Sequence, residues 1–271
     1  TGHLLLTERP DDRDELVDIA ERQSDAGIET TVVEGTELKA LEPGLAPEVL
    51  AAAWCPGDGV AAHTATTQIV AAAATEAGVE FRLKNPVSSL DAIDAVDGIL
   101  IAANQGTAEL LRLIDRALPL FPVWPQVVMA EAEGRSPQTL IGHVHRRLVV
   151  KRMDAHTVMI TGGRLGAVQP DGSVGVEPSE IAATLGDASS VFPELVDATV
   201  TVAVADRSES VTPDLVPIVD RIEHDPPVWI ATGWSGHGFA LAPAVARSIA
   251  SWMSDGERPG PLAPFSVERF D

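Results

Sequence analysis

The stretch that most narrows the fold lies near the end of the chain. Pro227-Val-Trp-Ile-Ala-Thr232 is an apolar run of strand length. Gly233-Trp234-Ser235-Gly236-His237-Gly238-Phe239 follows it directly, before an Ala-rich helix predicted over 242–253. Glycines between a buried strand and a helix let backbone approach a ligand closely, and Pro243 suits the first turn of the helix. A helix N-terminus aimed from such a turn stabilises negative charge placed against it. A tight turn with nothing bound accounts for the glycines about equally well. Two enzyme motifs do not fit. A serine nucleophile elbow needs a small residue where His237 stands. The glycines at 233, 236 and 238 read G-x-x-G-x-G, the wrong spacing for a G-x-G-x-x-G dinucleotide fingerprint.

Elsewhere the chain alternates. Strands are predicted at Leu4-Leu5-Leu6, over 30–33, over 51–54 and over 79–83. Between them lie helices over 15–26, closed by Gly27, over 37–41, and over 64–77, closed by Gly78. The apolar run 98–103, ending at Asn104, reads as a strand covered on both faces, followed by a helix over 108–116. Residues 123–163 differ, with Val127-Val128-Met129, Leu148-Val149-Val150 and Thr157-Val158-Met159-Ile160 bounded by turn residues, which suggests an antiparallel meander. A helix is expected over 177–185 and a strand over 199–204. The fold class is therefore mixed α/β and α+β: a β-rich insert flanked by strands of the type that carry cofactors.

Charge and cysteine content exclude several functions. With 19 Lys and Arg against 40 Asp and Glu, the formal charge of -21 repels phosphate backbones and anionic headgroups, so no nucleic-acid partner is expected. The single cysteine, Cys55, rules out an intrachain disulfide, and no tyrosine is present to act as an acid. Cys55 follows an apolar strand and reads as a packed small side chain. No apolar run reaches the roughly 20 residues that span a bilayer, so no membrane insertion and a cytoplasmic location are expected. Thr1-Gly-His-Leu-Leu-Leu has neither an initiator Met nor a signal pattern, which is expected of an excerpt or a processed chain.

Gly233-Trp-Ser-Gly-His-Gly-Phe-Ala-Leu-Ala-Pro-Ala-Val-Ala-Arg247, with Pro264-Phe-Ser-Val-Glu-Arg-Phe270, resembles the C-terminal signature of the flavin-dependent D-amino-acid oxidase superfamily. The glycine oxidase, sarcosine oxidase and dimethylglycine dehydrogenase branches are the most similar in pattern. Thr212-Pro213-Asp214-Leu-Val-Pro217-Ile218 is similar to the family's T-P-D-x-x-P-I segment, and Cys55-Pro-Gly-Asp58-Gly59 and Ile99 to Asn104 follow the family's order. The resemblance covers nearly the whole chain. It implies a partial Rossmann-type FAD-binding domain joined to an antiparallel-sheet substrate domain. Residues 1–63 would mix segments of both, 64–118 and 205–271 would belong to the FAD-binding domain, and 119–204 would form the substrate domain. The family's dinucleotide fingerprint and first βαβ unit are missing before Thr1, a deficit of about 80 residues on the usual length of such a unit.

The activity implied is hydride transfer from the carbon bearing an amine to FAD, leaving an imine, on a small-molecule amine or amino acid. The resemblance places Gly233, Trp234, Ser235, Gly236, His237, Gly238, Phe239 and Asn104 on the cofactor side, with Trp234 and His237 also facing substrate. Many relatives carry an arginine that clamps the substrate carboxylate three residues before T-P-D. Here that position is Glu209, which favours an N-substituted or otherwise atypical amine. Arg207, two residues earlier and on the same face if the segment is a strand, is the replacement candidate, with an ion pair to Glu209 as the alternative. No residue is assigned a catalytic role. The rival function is a non-catalytic accessory subunit, and a homo-oligomer or a partner subunit is compatible with either. His143 and His145 share a face on the predicted strand, but a polar sheet edge accounts for them better than a metal, and no metal is expected. Trp124 and Trp234 either line an apolar cavity or belong to the core. The acidic runs Asp11-Asp12 and 91–97 read as solvated faces.

Overall fold

A computed structural model describes all residues except 91, 92, 94, 95, 135 and 271. In chain order the elements are β1 (His3–Thr7), α1 (Arg13–Asp25), β2 (Thr31–Glu34), α2 (Gly35–Leu41), β3 (Ala51–Cys55), α3 (His63–Glu76), β4 (Ile99–Ile101) and α4 (Gly106–Arg112). There follow β5 (Phe121–Val123), β6 (Val127–Glu131), β7 (Leu140–His143), β8 (Val149–Arg152), β9 (Thr157–Thr161), β10 (Ala167–Val168) and β11 (Val174–Gly175). The last are α5 (Pro178–Val191), β12 (Thr199–Val204), β13 (Glu209–Val211), β14 (Ile218–Ile222), β15 (Val228–Thr232) and α6 (Gly238–Asp255). They form two compact units, one of residues 1–62 and 124–207, the other of residues 63–123 and 208–271.

The first unit is built on an eight-stranded sheet in the order β12-β6-β9-β8-β7-β1-β3-β2. Its pairs are antiparallel except β1 with β7. The three strands expected over 123–163 are present as β6, β8 and β9, but they do not form a simple meander: β6 pairs with β9, and β7, which was not expected, pairs with β8, giving the order β6-β9-β8-β7. Alternation along the strands sends Leu4, Leu6, Ile141, Val150, Val158 and Ile160 to one face, where they form a fully buried core with Val191 and Phe192 at the end of α5. Burying side chains of this size contributes roughly 1.5–3 kcal/mol each.

The second unit holds the three-stranded sheet β14-β15-β4, with β15 parallel to β4 and antiparallel to β14. All five residues of β15 are buried because both faces of the strand are covered. Val228 and Ile230 pack with Ile99, Ile101 and Leu111 of α4, whereas Trp229 and Ala231 pack with Val245, Ile249 and Trp252 of α6. The spacing of the three α6 residues is one helical stripe. A short pair, β13 with β5, lies beside these elements in sequence order and joins Glu209–Val211 to Phe121–Val123 antiparallel.

Several sequence expectations are corrected. Residues 79–83 do not form a strand. Val79, Phe81 and Leu83 alternate, but they are 50%, 50% and 81% exposed, and among the described residues no strand pairs with them. Alternation supplies a face, and a strand also needs a neighbour for its hydrogen bonds. The run at 98–103 yields only the three residues of β4, with Leu100 exposed, so its apolar continuity does not mark burial on both faces. The final helix begins at Gly238 rather than Ala242, so Pro243 sits in its second turn. The helix after β4 is Gly106–Arg112 rather than 108–116, because Asp115 adopts a left-handed conformation that ends it. Asp12 is buried rather than solvated, and Asp97 is exposed. Asp91 and Asp94, from the other acidic run, lie outside the described residues.

Candidate functional site

The glycine turn runs from the end of β15 into α6, and its backbone takes up conformations that dictate the sequence. Gly233 has φ +69°, and a Cβ there would stand 2.7 Å from Thr212 Cγ2, so the position admits neither the conformation nor the volume of another residue. Ser235 follows at φ 49° and Gly236 at +88°, and the space beside Gly236 is open. The Ser235 hydroxyl donates to the Gly233 carbonyl at 3.2 Å. The turn is closed by the His237 N–H, which donates to the Trp234 carbonyl at 2.9 Å. The first turn of α6 then leaves its N–H groups without intrahelical acceptors, as every helix start does.

Asn104 ties the turn to the rest of the second unit. It lies just after β4 with φ 49°, a left-handed position that Asn tolerates. Its side chain accepts the Ser210 N–H at 3.1 Å and donates to the Ser208 carbonyl at 3.3 Å. Its own carbonyl accepts the Thr232 hydroxyl at 3.4 Å. The Ser235 N–H in turn donates to the Ser210 carbonyl at 3.4 Å. The Glu209 carboxylate, between the two serines, accepts the Gly236 N–H.

The other predicted residues divide. His237 and Phe239 are exposed, and the ring of Phe239 meets that of His63 edge to face at 6.5 Å. Trp234 is half-buried against the core between the sheet and α6. Trp124 is half-buried in the first unit, and Cys55 is buried at the end of β3, as a packed small side chain would be. Arg207 is exposed in the loop between β12 and β13. Because residues 205–208 are not a strand, no strand alternation places Arg207 on the face of Glu209.

The histidines also depart from expectation. His143 ends β7, an interior strand, while His145 lies beyond it, so they neither share a face nor mark a sheet edge. The Nδ1 of buried His143 accepts the N–H groups of His145 and Arg146 at 3.1 and 3.0 Å, which leaves its proton on Nε2, 3.4 Å from Glu8. Burial pushes the His143 pKa down, against the pull of Glu8. His145 pairs with Asp12 at 2.7 Å. The Thr7 hydroxyl, and then His145, hold the Asp12 carboxyl below the usual carboxylate range. Ligand atoms of Asp12, Glu15 and His145 lie within 4.8 Å of one another, but Thr7 and His145 already satisfy Asp12.

Sequence reasoning missed the partners of the T-P-D segment. Asp214 receives both arms of Arg269, at 2.7 and 3.3 Å, and Arg269 also donates to the carbonyls of Val216 and Ser266. Hydrogen bonding from Arg269 is the main reason the Asp214 carboxyl is held far below its ordinary range. Thr212 donates to the Val216 carbonyl at 2.8 Å. The segment thus clasps the C-terminal tail. Asp214 and Arg269 each stand in a motif visible in the sequence, but nothing in their spacing joins them.

The arrangement fits the ring end of a flavin on its own chemistry. The turn offers an open, left-handed backbone beside a helix N-terminus, and the buried Ser210 hydroxyl and Gln105 amide nitrogen have no partner among the described residues. Among those residues no helix is long and apolar enough to cross a membrane.

The family model described as FAD dependent oxidoreductase matches residues 1–252. Glycine oxidase from Pseudomonas aeruginosa is 28% identical over 172 residues, a match of 62% of this chain and 45% of that protein, so the chain spans less than half the length of this curated relative. The crystal structure of L-proline dehydrogenase from P. horikoshii superposes with a TM-score of 0.86 at 22% identity, covering 100% of this chain and 76% of that one. Glycine oxidase from Geobacillus kaustophilus gives a TM-score of 0.80 at 20% identity, over 98% and 74% of the two chains. These two structures share the mixed α/β fold described above. The chain belongs to the DAO family of FAD-dependent oxidoreductases.

Proposed function

We propose that this protein oxidises a small amine or amino acid of the glycine, sarcosine or N-substituted type, with FAD as its cofactor. The observation that carries this is the turn between β15 and α6. Its left-handed residues Gly233, Ser235 and Gly236 leave the backbone open at the start of α6, with free space beside Gly236, and Asn104 holds it in place. The family match and the glycine oxidase relative support the same reading.

Bound FAD supplies the chemistry, accepting a hydride from the carbon that bears the amine. The residues of this chain position it. Gly233, Trp234, Ser235, Gly236, His237, Gly238 and Phe239 would hold the ring, and Asn104 fixes their backbone through its hydrogen bonds to Ser208, Ser210 and Thr232. The helix N-terminus of α6 contributes electrostatic support of about 0.3–2 kcal/mol for negative charge placed beside it.

The test uses protein expressed from its complete reading frame. It should be yellow and should bleach without oxygen on addition of glycine, sarcosine or L-proline, at least one of the three. A colourless preparation that takes up no added FAD would return the chain to the accessory-subunit alternative.

A further inference from the structure

We propose that Glu209 tunes the flavin site, its carboxylate lowering the reduction potential of FAD held at the glycine turn; this rests on the assignment of that turn to the flavin. Glu209 is held in place from both sides. The Asn104 side chain binds Ser208 and Ser210, and the Ser210 carbonyl takes the Ser235 N–H of the turn itself. Consecutive side chains of a strand point to opposite faces. Ser210 is fully buried, so Glu209 is turned the other way, and its carboxylate lands on the Gly236 N–H. No side chain on residue 236 stands in the way, since the space beside its Cα is open.

The consequence is electrostatic. A helix start carries the equivalent of roughly half a positive charge, which would favour a ligand that gains negative charge. A full negative charge bonded to the same turn opposes that half charge. Two-electron reduction adds negative charge to a flavin ring, so the carboxylate opposes it. Glu209 therefore has a use of its own, separate from the carboxylate clamp that the resemblance places at this position.

The discriminating variants are Glu209→Gln and Glu209→Asp in protein from the complete reading frame, loaded with FAD. Gln keeps the shape and can still accept the Gly236 N–H, so it removes only the charge. Equilibration with a reference dye should show Glu209→Gln favouring reduction by about tenfold, an upward shift of about 30 mV for a two-electron couple. Glu209→Asp, which keeps the charge, should stay within about twofold of the parent. A Gln shift smaller than about threefold, a downward shift, or an Asp shift as large as that of Gln would each overturn the proposal. Failure of the parent protein to bind FAD would instead remove the flavin assignment of the turn, and the role of Glu209 with it.

Discussion

Asn104 accepts the Ser210 N–H at 3.1 Å through a side chain that stands on a left-handed backbone. One residue therefore meets two demands: a conformation that few side chains tolerate, and a pair of hydrogen bonds that fix β13. Asn104→Gly keeps the first and loses the second. Asn104→Ala loses both. Unfolding by urea should show the glycine variant destabilised by about 1 kcal/mol and the alanine variant by about 2–3 kcal/mol. Equal losses would show that the left-handed conformation carries no cost at this position.

The two left-handed glycines of the turn should respond differently. Alanine at 233 meets Thr212 Cγ2 at 2.7 Å and Leu120 Cδ2 at 3.2 Å, whereas alanine at 236 meets nothing. Gly236→Ala should cost about 1 kcal/mol, from backbone conformation alone. Gly233→Ala should cost about 2–4 kcal/mol, because overpacking adds to the same strain. Chemical denaturation of both variants checks the order.

Asp214 gives the fold a pH dependence. Its carboxyl is held well below its ordinary 3.8 chiefly by Arg269, so the unfolded chain takes up the proton first on acidification. The pair's contribution is present above about pH 4 and is lost as pH falls below it. Asp214→Asn should melt below the parent at pH 7, and the gap should narrow from about pH 4 downward. A gap independent of pH would mean that the Arg269 ion pair contributes nothing.

His143 acts in a higher window. Burial is the largest cause of its lowered pKa, so the folded protein holds it neutral while the unfolded chain protonates near 6.5. Stability is full above 6.5 and declines below it until the folded ring also protonates. His143→Gln should remove that part of the slope in melting temperature as pH falls below about 6.5. A parent protein whose melting temperature is flat over that range would contradict the assignment.

The glycine motif at 233–238, the strands β6, β8 and β9 within 123–163 and the strand at 227–232 were legible from sequence, because each depends on local chemistry: left-handed conformation, short apolar runs bounded by turn residues, continuous apolarity. The candidate site was legible in its backbone and not in its side chains. Asn104 is noticed at sequence level only as the end of an apolar run and, through the resemblance, as a cofactor-side residue, whereas its amide spans more than a hundred positions to reach Ser208 and Ser210. Arg269 and Asp214 are 55 residues apart, and no spacing rule connects them.

What the sequence determined by itself is the kind of elements present, the family, and the turn that its glycines require. Tertiary structure alone decided which strands pair. Residues 79–83 have a strand's alternation and no partner among the described residues, while the shorter Ile99–Ile101 is a strand because β15 lies beside it. It also decided what each charge does. Glu209 and Arg207 look like an ion pair two residues apart, but the break in strand structure at 205–208 separates them, and the carboxylate bonds a backbone N–H of the turn instead. Local preference is set by neighbours in the chain, whereas hydrogen bonds and charges are satisfied by whatever the fold brings within about 3 Å.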